Sequence, residues 1–309
     1  MRSDFQIHTL GCGSAKPTVR HQPSSTVVEH RGNLFMVDCG EGAQRTFQMA
    51  RLKFSRLSHI FLTHLHGDHV FGLPGLVGTL GLLQTGGSLT IHTFADGQKI
   101  LSQIFKYFDR DPSFEIKWNI LDPKKEETAL ETKSMRVRTI PLRHKVPAVG
   151  YVFEEKPSQR HLNREMADFY GVPTYMFNNL KAGMDYITPE GVTIPNARLT
   201  FDPTPPRSYA HISDTAYMPE LASKIENVSL LYHETTYLEE HINDAMARGH
   251  STARQAAMTA RDAHVGALLT GHYSSRYKDE QAFVTEASEV FPHVILNHEG
   301  LVTPIGNRE

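Results

Sequence analysis

The chain has 309 residues, 39% of them hydrophobic, which is enough for a sizeable core and argues against dominant disorder. Its 32 basic and 34 acidic side chains nearly cancel, so no global field draws in nucleic acid or an anionic membrane, and any polyanion must be gripped locally. Two cysteines, Cys12 and Cys39, exclude a disulfide framework, and no apolar leader or cleavage site opens the chain, so a cytoplasmic setting is the default.

In chain order, β-branched and aromatic runs predict strands at 5–10, 26–28 and 34–37, followed by helical periodicity over 42–54 and a strand at 59–63. The apolar run 70–83 is 14 residues long and is broken by Pro74 and glycines; it is too short to cross a bilayer and suits a buried helix beside a site. A strand at 89–94 leads to a charged segment, 109–133, expected as a loop or edge feature, and then to strands at 137–142 and 150–153. Residues 154–195 carry Pro157, Pro173, Pro189 and Pro195 and read as an inserted arm. Strands at 209–213 and 228–232 precede a helix over 251–264 with Ser251 or Thr252 as N-cap, a strand at 265–270, a helix over 279–290 and a strand at 294–297. Mixed strands and helices without a dividing linker predict a single α/β layered domain spanning 1–309.

Five of these strands run into a metal ligand or acid/base group: His64, His144, Asp214, His233 and His272. Ligands of α/β sheets bind outside the carboxyl ends of strands, so these residues are expected to converge on one rim. A lone histidine is more often satisfied by a backbone carbonyl than by a metal, but five such endings beside the cluster Thr63-His64-Leu65-His66-Gly67-Asp68-His69 reverse that preference. His64 and His66, two apart on an extended segment, point the same way and can chelate one ion; Gly67 permits a sharp turn that brings Asp68 and His69 to a second. Imidazole and carboxylate without cysteine suit zinc, with Mn2+ or Fe2+ as substitutes. Asp38, after an apolar strand, either caps the glycines that follow or bonds a ligand histidine; the structural role is preferred.

His64-Leu65-His66-Gly67-Asp68-His69 resembles the H-x-H-x-D-H signature of the metallo-β-lactamase superfamily, and further motifs resemble one of its branches, ribonuclease Z, the tRNA 3′-processing endoribonuclease family. They include Leu10-Gly11-Cys12-Gly13-Ser14, Val37-Asp38-Cys39-Gly40-Glu41-Gly42, Pro141-Leu142-Arg143-His144, Ser213-Asp214-Thr215, His233-Glu234-Thr235-Thr236, Gly249-His250-Ser251-Thr252 and Gly271-His272-Tyr273-Ser274. The resemblance implies the metallo-β-lactamase fold, a four-layer αβ/βα sandwich of two mixed β-sheets with outer helices. It assigns one zinc to His64, His66 and His144 and the other to Asp68, His69 and His272, bridged by Asp214, making two Zn2+ per chain. Two such ions about 3.5–4 Å apart lower the pKa of a shared water and clamp a phosphodiester, with Asp68 directing the water. The family pattern makes His250 the proton donor to the leaving oxygen and Glu234 its partner, and His233 an orienting group.

The implied enzyme is a metal-dependent hydrolase, an endonuclease that removes the 3′ trailer of precursor tRNA and leaves a 3′-hydroxyl, working as a cytoplasmic homodimer without membrane attachment. The alternative keeps the chemistry on a small or cyclic phosphodiester or another ester. Ser274, Arg276 and Arg20 are candidate substrate-binding residues, since hydroxyls and guanidinium donate well to phosphate. Two segments depart from the family: 17–23 keeps Pro17 and Arg20 without the usual lysine and asparagine, and the 154–195 arm lacks a Gly-Pro tip and leans acidic, so its grip on RNA phosphates is expected to be weak.

Overall fold

The computed structural model describes residues 4–83, 87–108 and 115–306. The strands are β1 (Phe5–Gly11), β2 (Ser25–His30), β3 (Asn33–Val37), β4 (Leu57–Phe61), β5 (Ser88–Thr93), β6 (Glu115–Ile120), β7 (Thr128–Glu131), β8 (Met135–Pro141) and β9 (Val149–Glu155). Four two-residue strands follow, β10 (His161–Leu162), β11 (Tyr186–Ile187), β12 (Thr193–Ile194) and β13 (Thr200–Phe201). The last five are β14 (Ser208–Ile212), β15 (Leu230–His233), β16 (Ala267–Leu269), β17 (Val294–Ile295) and β18 (Val302–Pro304). They form two seven-stranded sheets, β18-β1-β2-β3-β4-β5-β6 and β17-β16-β15-β14-β9-β8-β7. Both are mixed: β3 to β6 pair in parallel after an antiparallel β1-β2-β3, and β14 to β17 pair in parallel while β7 and β8 are antiparallel.

Period-two alternation decides what each sheet presents to either side. Inward from the first sheet point Phe35, Phe61 and His92, and from the second Tyr151, Phe153, Tyr209, His211 and Tyr232; Phe61 meets Tyr151 and Phe153 at ring separations of 5.2 and 5.4 Å. The alternate residues face helices. Leu34, Met36, Ile60 and Ile91 pack under the helices Ala43–Met49, Leu73–Leu82 and Ala95–Phe108, and Ala210, Ile212, Leu231 and Leu268 under Leu221–Lys224, Ala253–Asp262 and Gln281–Ser288. The expected sandwich of two mixed sheets between outer helices is the observed fold.

Several of the 18 histidines belong to this interior. His92 stacks on Phe61 at 4.1 Å and His211 on Tyr232 at 4.3 Å. Burial pushes His59 down to about 4 and both His92 and His211 to about 3, so these rings pack as neutral aromatics.

The expected helix at 251–264 is Ala253–Asp262, closed by a reciprocal capping box between Thr252 and Gln255. The periodicity over 42–54 gives a shorter helix, Ala43–Met49, and the helices Ala95–Phe108 and Ile242–Arg248 were not expected. The run 70–83 is helical over Leu73–Leu82 but only half covered: Leu73, Leu76, Val77 and Leu80 are buried, whereas Phe71, Leu82 and Leu83 are exposed. Of the segment 109–133, residues 109–114 lie outside the described residues, and β6 and β7 stand at the edges of the two sheets. None of the described helices is long and apolar enough to cross a membrane.

Two compact units are present: the sandwich, and a smaller unit of Thr132–Met135 and Glu154–Pro206. The segment expected as an arm lies within this smaller unit, which continues beyond 195 to Pro206. It has its own core of Ala167, Val172, Leu180, Tyr186, Ile194 and Leu199, tied by Asn196, whose buried amide donates to the carbonyls of Leu180 and Met184 at 2.8 and 2.7 Å.

Candidate active site

The sheets bring their strand ends to one rim. His64 follows β4, Asp38 follows β3, His144 follows β8, Asp214 follows β14, His233 ends β15 with Glu234 next to it, and His272 follows β16. Two non-glycine residues here, Asp38 (φ 57°) and His272 (φ 60°), adopt left-handed backbone. That conformation costs roughly 1–2 kcal/mol per residue and must be held by its surroundings. The sharp turn expected at Gly67 is a helical one rather than a left-handed one. The φ of Gly67 is not among the positive ones, and a helical turn over Gly67–Val70, with His66 at its start, carries Asp68 and His69 round.

Seven side chains meet in two groups. In the first, His64 Nε2 and His144 Nε2 lie 3.0 and 3.3 Å from His66 Nδ1, and 3.6 and 3.8 Å from Asp214 Oδ2. In the second, His69 Nε2 and His272 Nε2 each lie 3.5 Å from Asp68 Oδ2, and 3.4 and 3.2 Å from Asp214 Oδ1. Donors about 2.0–2.1 Å from a tetrahedral ion stand about 3.4 Å apart, which is the spacing of both groups. The buried Nε2 atoms of His69 and His272 have no hydrogen-bond partner, which is costly unless a cation takes their lone pairs. The donor set therefore fits two divalent cations that share Asp214.

A further layer orients the rings. Nδ1 of His69 donates to Asp38 Oδ2 at 2.7 Å, that of His144 to the Gly249 carbonyl at 2.8 Å, and that of His272 pairs with Thr236 Oγ1 at 2.9 Å. Each bond leaves Nε2 as the lone-pair donor and fixes the ring's orientation. Asp38 also accepts from the Thr63 amide and hydroxyl, both at 2.8 Å, so the preferred capping role is corrected: it is the anchor of His69. Gly249 closes the helix Ile242–Arg248 in left-handed conformation (φ 74°), which delivers its carbonyl to His144.

The electrostatics favour cations. Although burial opposes ionisation, the surrounding imidazoles hold the Asp214 and Asp68 carboxyls well below the usual carboxylate range. Burial keeps His64, His66 and His144 neutral by lowering their pKa values. Beside the second group, His250 Nδ1 donates to Glu234 Oε1 at 2.8 Å. Burial works against a charged ring, but the Glu234 carboxylate outweighs it and lifts His250 to about 9. Glu234 is itself fully buried and accepts from the Thr215 amide at 3.0 Å, the Thr236 amide at 3.0 Å and the Thr236 hydroxyl at 2.5 Å. Since Thr236 also meets His272, one carboxylate positions both the protonated histidine and a ligand ring.

His233 does not touch the Glu234 carboxylate; its buried ring bonds the Glu234 main-chain carbonyl at 2.8 Å. Arg20 donates to the Tyr277 and Lys278 carbonyls, both at 2.5 Å, and pairs with Glu280 at 2.7 Å. Arg276 pairs with Asp244 at 2.7 Å over the Tyr237 ring. Both guanidinium groups are thus engaged with protein, and Ser274 Oγ accepts weakly from the Arg276 amide at 3.5 Å. One contact left no mark in the sequence: the Ala15 amide donates to Asp68 Oδ2 at 2.7 Å. A backbone donor has no side-chain signature. Thr236, by contrast, was visible within the His-Glu-Thr-Thr motif.

Residues 18–158 match the metallo-beta-lactamase superfamily. Ribonuclease Z of Parabacteroides distasonis is 48% identical over 97% of this chain and 98% of its own length, and that of Porphyromonas gingivalis 48% identical over 96% and 97%. The crystal structure of human tRNase Z, short form, superposes with a TM-score of 0.71 at 22% identity, covering 98% of this chain and all of that one, and so supports the fold. With the site's geometry and nearly half of all residues shared along the full length, the chain belongs to the ribonuclease Z family of metallo-β-lactamase-fold, metal-dependent hydrolases.

Proposed function

We propose that this chain is an endoribonuclease that cuts precursor tRNA after the discriminator base, removes the 3′ trailer and leaves a 3′-hydroxyl. It uses two zinc ions, one held by His64, His66 and His144, the other by Asp68, His69 and His272, with Asp214 shared. What carries the reading is the pairing of a two-cation donor set with a separate, carboxylate-supported histidine at its edge. A binding scaffold needs no proton donor beside its metals.

When bound, the ions supply Lewis acidity, activating water and neutralising phosphate charge. Asp68 uses Oδ2 for the Ala15 amide and the ligand position. With those contacts on Oδ2, Oδ1 is the oxygen left to orient the attacking water and take its proton. As the bond from phosphorus to the 3′-oxygen breaks, His250 gives its proton to that oxygen. With Nδ1 held by Glu234, donation falls to Nε2. A ribose alkoxide is a poor leaving group, so this proton is the group's main contribution. The trailer departs with a 5′-phosphate.

Buried, unpaired Cys12 and Cys39 support a reducing, cytoplasmic setting. The exposed Phe71, Leu82 and Leu83 supply apolar surface for a homodimer. Incubation with a trailer-bearing precursor tRNA, with the cut mapped to the nucleotide and its ends typed, tests the assignment. A single cut after the discriminator base with a 3′-hydroxyl is expected. Turnover of small phosphodiesters with no cut in the precursor would transfer the chemistry to the smaller substrates instead.

A further inference from the structure

The loop 13–23 is held by a cluster that the metal chemistry does not use. His21 lies between two carboxylates, with Nε2 3.0 Å from Glu280 Oε1 and Nδ1 3.1 Å from Glu299 Oε2. Glu299 also accepts from the Gln22 amide at 2.9 Å, and Glu280 pairs with Arg20 at 2.7 Å. Cys12 Sγ lies 3.5 Å from His21 Nδ1, so Cys12, His21 and Glu299 have the spacing of metal donors. Here, however, both ring nitrogens already have carboxylate partners, unlike the orphaned Nε2 atoms of His69 and His272. The cluster is a charged clamp.

What the clamp holds is next to the chemistry. Gly13 closes the loop onto the Gln22 carbonyl at 2.9 Å, and the Ser14 amide docks on the carbonyl of Tyr273, the residue after His272, at 3.1 Å. Ala15 then takes a left-handed conformation (φ 65°) that aims its amide at Asp68 Oδ2, 2.7 Å away. That bond engages Oδ2 and, on the reading given above, leaves Oδ1 for the attacking water. An exposed alanine in this conformation is unfavourable by itself and needs the loop to be fixed at its far end.

We propose that His21, clamped between Glu280 and Glu299, is a positioning residue for phosphodiester hydrolysis: by fixing the 13–23 loop it sets the Ala15 amide on Asp68 and hence the orientation of the water-directing carboxylate. The proposal rests on the reading of Asp68 given above. The hydrogen bond that His21 donates to Glu299 also raises the pKa of the ring in spite of partial burial, which favours its charged form between the two carboxylates.

The test uses the full chain with His21→Ala and His21→Arg, the latter restoring a cation between the same carboxylates. Hydrolysis of bis-p-nitrophenyl phosphate by zinc-loaded protein gives kcat and KM, and amide exchange in the metal-free protein reads Ala15 directly. For His21→Ala we expect kcat to fall about tenfold with KM within about twofold. Ala15 exchange should rise at least about tenfold, and His21→Arg should recover both. Unchanged kcat, or lost kcat with Ala15 still protected, overturns the proposal. Should His21→Ala not fold, Glu280→Gln must accelerate Ala15 exchange, and protection equal to wild type overturns it equally. A wild-type protein inactive on the ester would sink the role of Asp68, whereas exchange at Ala15 would still decide the clamp.

Discussion

Glu234→Gln isolates the charge that keeps His250 protonated. The substitution preserves shape but removes a carboxylate whose two oxygens accept from His250, Thr215 and Thr236. An amide has one oxygen, so one buried N–H must face an NH2 group. His250 sits at about 9 because of this carboxylate; without it the ring falls to its ordinary 6.5 or below, since burial then acts with less opposition. At pH 8 an acid of pKa about 9 is about 90% protonated and one of 6.5 about 3%, a loss of about thirtyfold in the active form. The sign follows: the proton donor is present below about 9 and is lost as pH rises through it, so the alkaline limb of kcat/KM moves down in the variant. Profiles from pH 6 to about 10 should show this shift for precursor tRNA and almost none for bis-p-nitrophenyl phosphate, whose phenolate leaves without a proton. An unmoved alkaline limb, or equal losses on both substrates, would refute His250 as the acid and Glu234 as its support.

Asp68→Ala should abolish hydrolysis of both substrates while the fold persists, as judged by circular dichroism; retained turnover of the ester would remove Asp68 from the chemistry. Asp38→Asn breaks the charge-assisted bond to His69, and titration against a competing chelator should show metal affinity lower by about 10–100-fold. Wild-type affinity would make Asp38 a purely structural anchor. Elemental analysis of the purified protein should give about two zinc ions per chain, and a single tightly held ion with all seven ligands intact would refute the shared role of Asp214. Gly72→Ala would place a methyl group 2.0 Å from the Gly40 carbonyl oxygen, where the helix Leu73–Leu82 meets the loop after Asp38. Denaturant melts should show a loss of about 1–3 kcal/mol; unchanged stability would mean the loop yields freely.

Legibility tracked sequence distance. His64, His66, Asp68 and His69 are neighbours, so their spacing alone suggested two ions, and Asp214, His144 and His272 announced themselves at the ends of apolar runs. Asp38 was misjudged because its role depends on which strand lies alongside: β3 and β4 pair in parallel with Val37 opposite Phe61, which sets Asp38 beside Thr63 and its oxygen on His69. Arg20 read as a phosphate donor, but its partner Glu280 is contributed from the far end of the chain. The helix Ala95–Phe108 was missed next to a strand whose apolar residues run directly into it.

The amino-acid order by itself determined the donor types, the mixture of strands and helices of a layered α/β fold with a rim of metal donors and, through the family resemblance of its motifs, the two-sheet sandwich. Those properties reside in periodicity and in short motifs, which act over a few residues. Only the tertiary structure decided which nitrogen of each ring turns into the donor cluster, which carboxylate charges His250 and which amide reaches Asp68. Each of these depends on parallel strand register and on loops closed across the length of the chain. The partners there are backbone groups and distant side chains whose proximity no local pattern encodes.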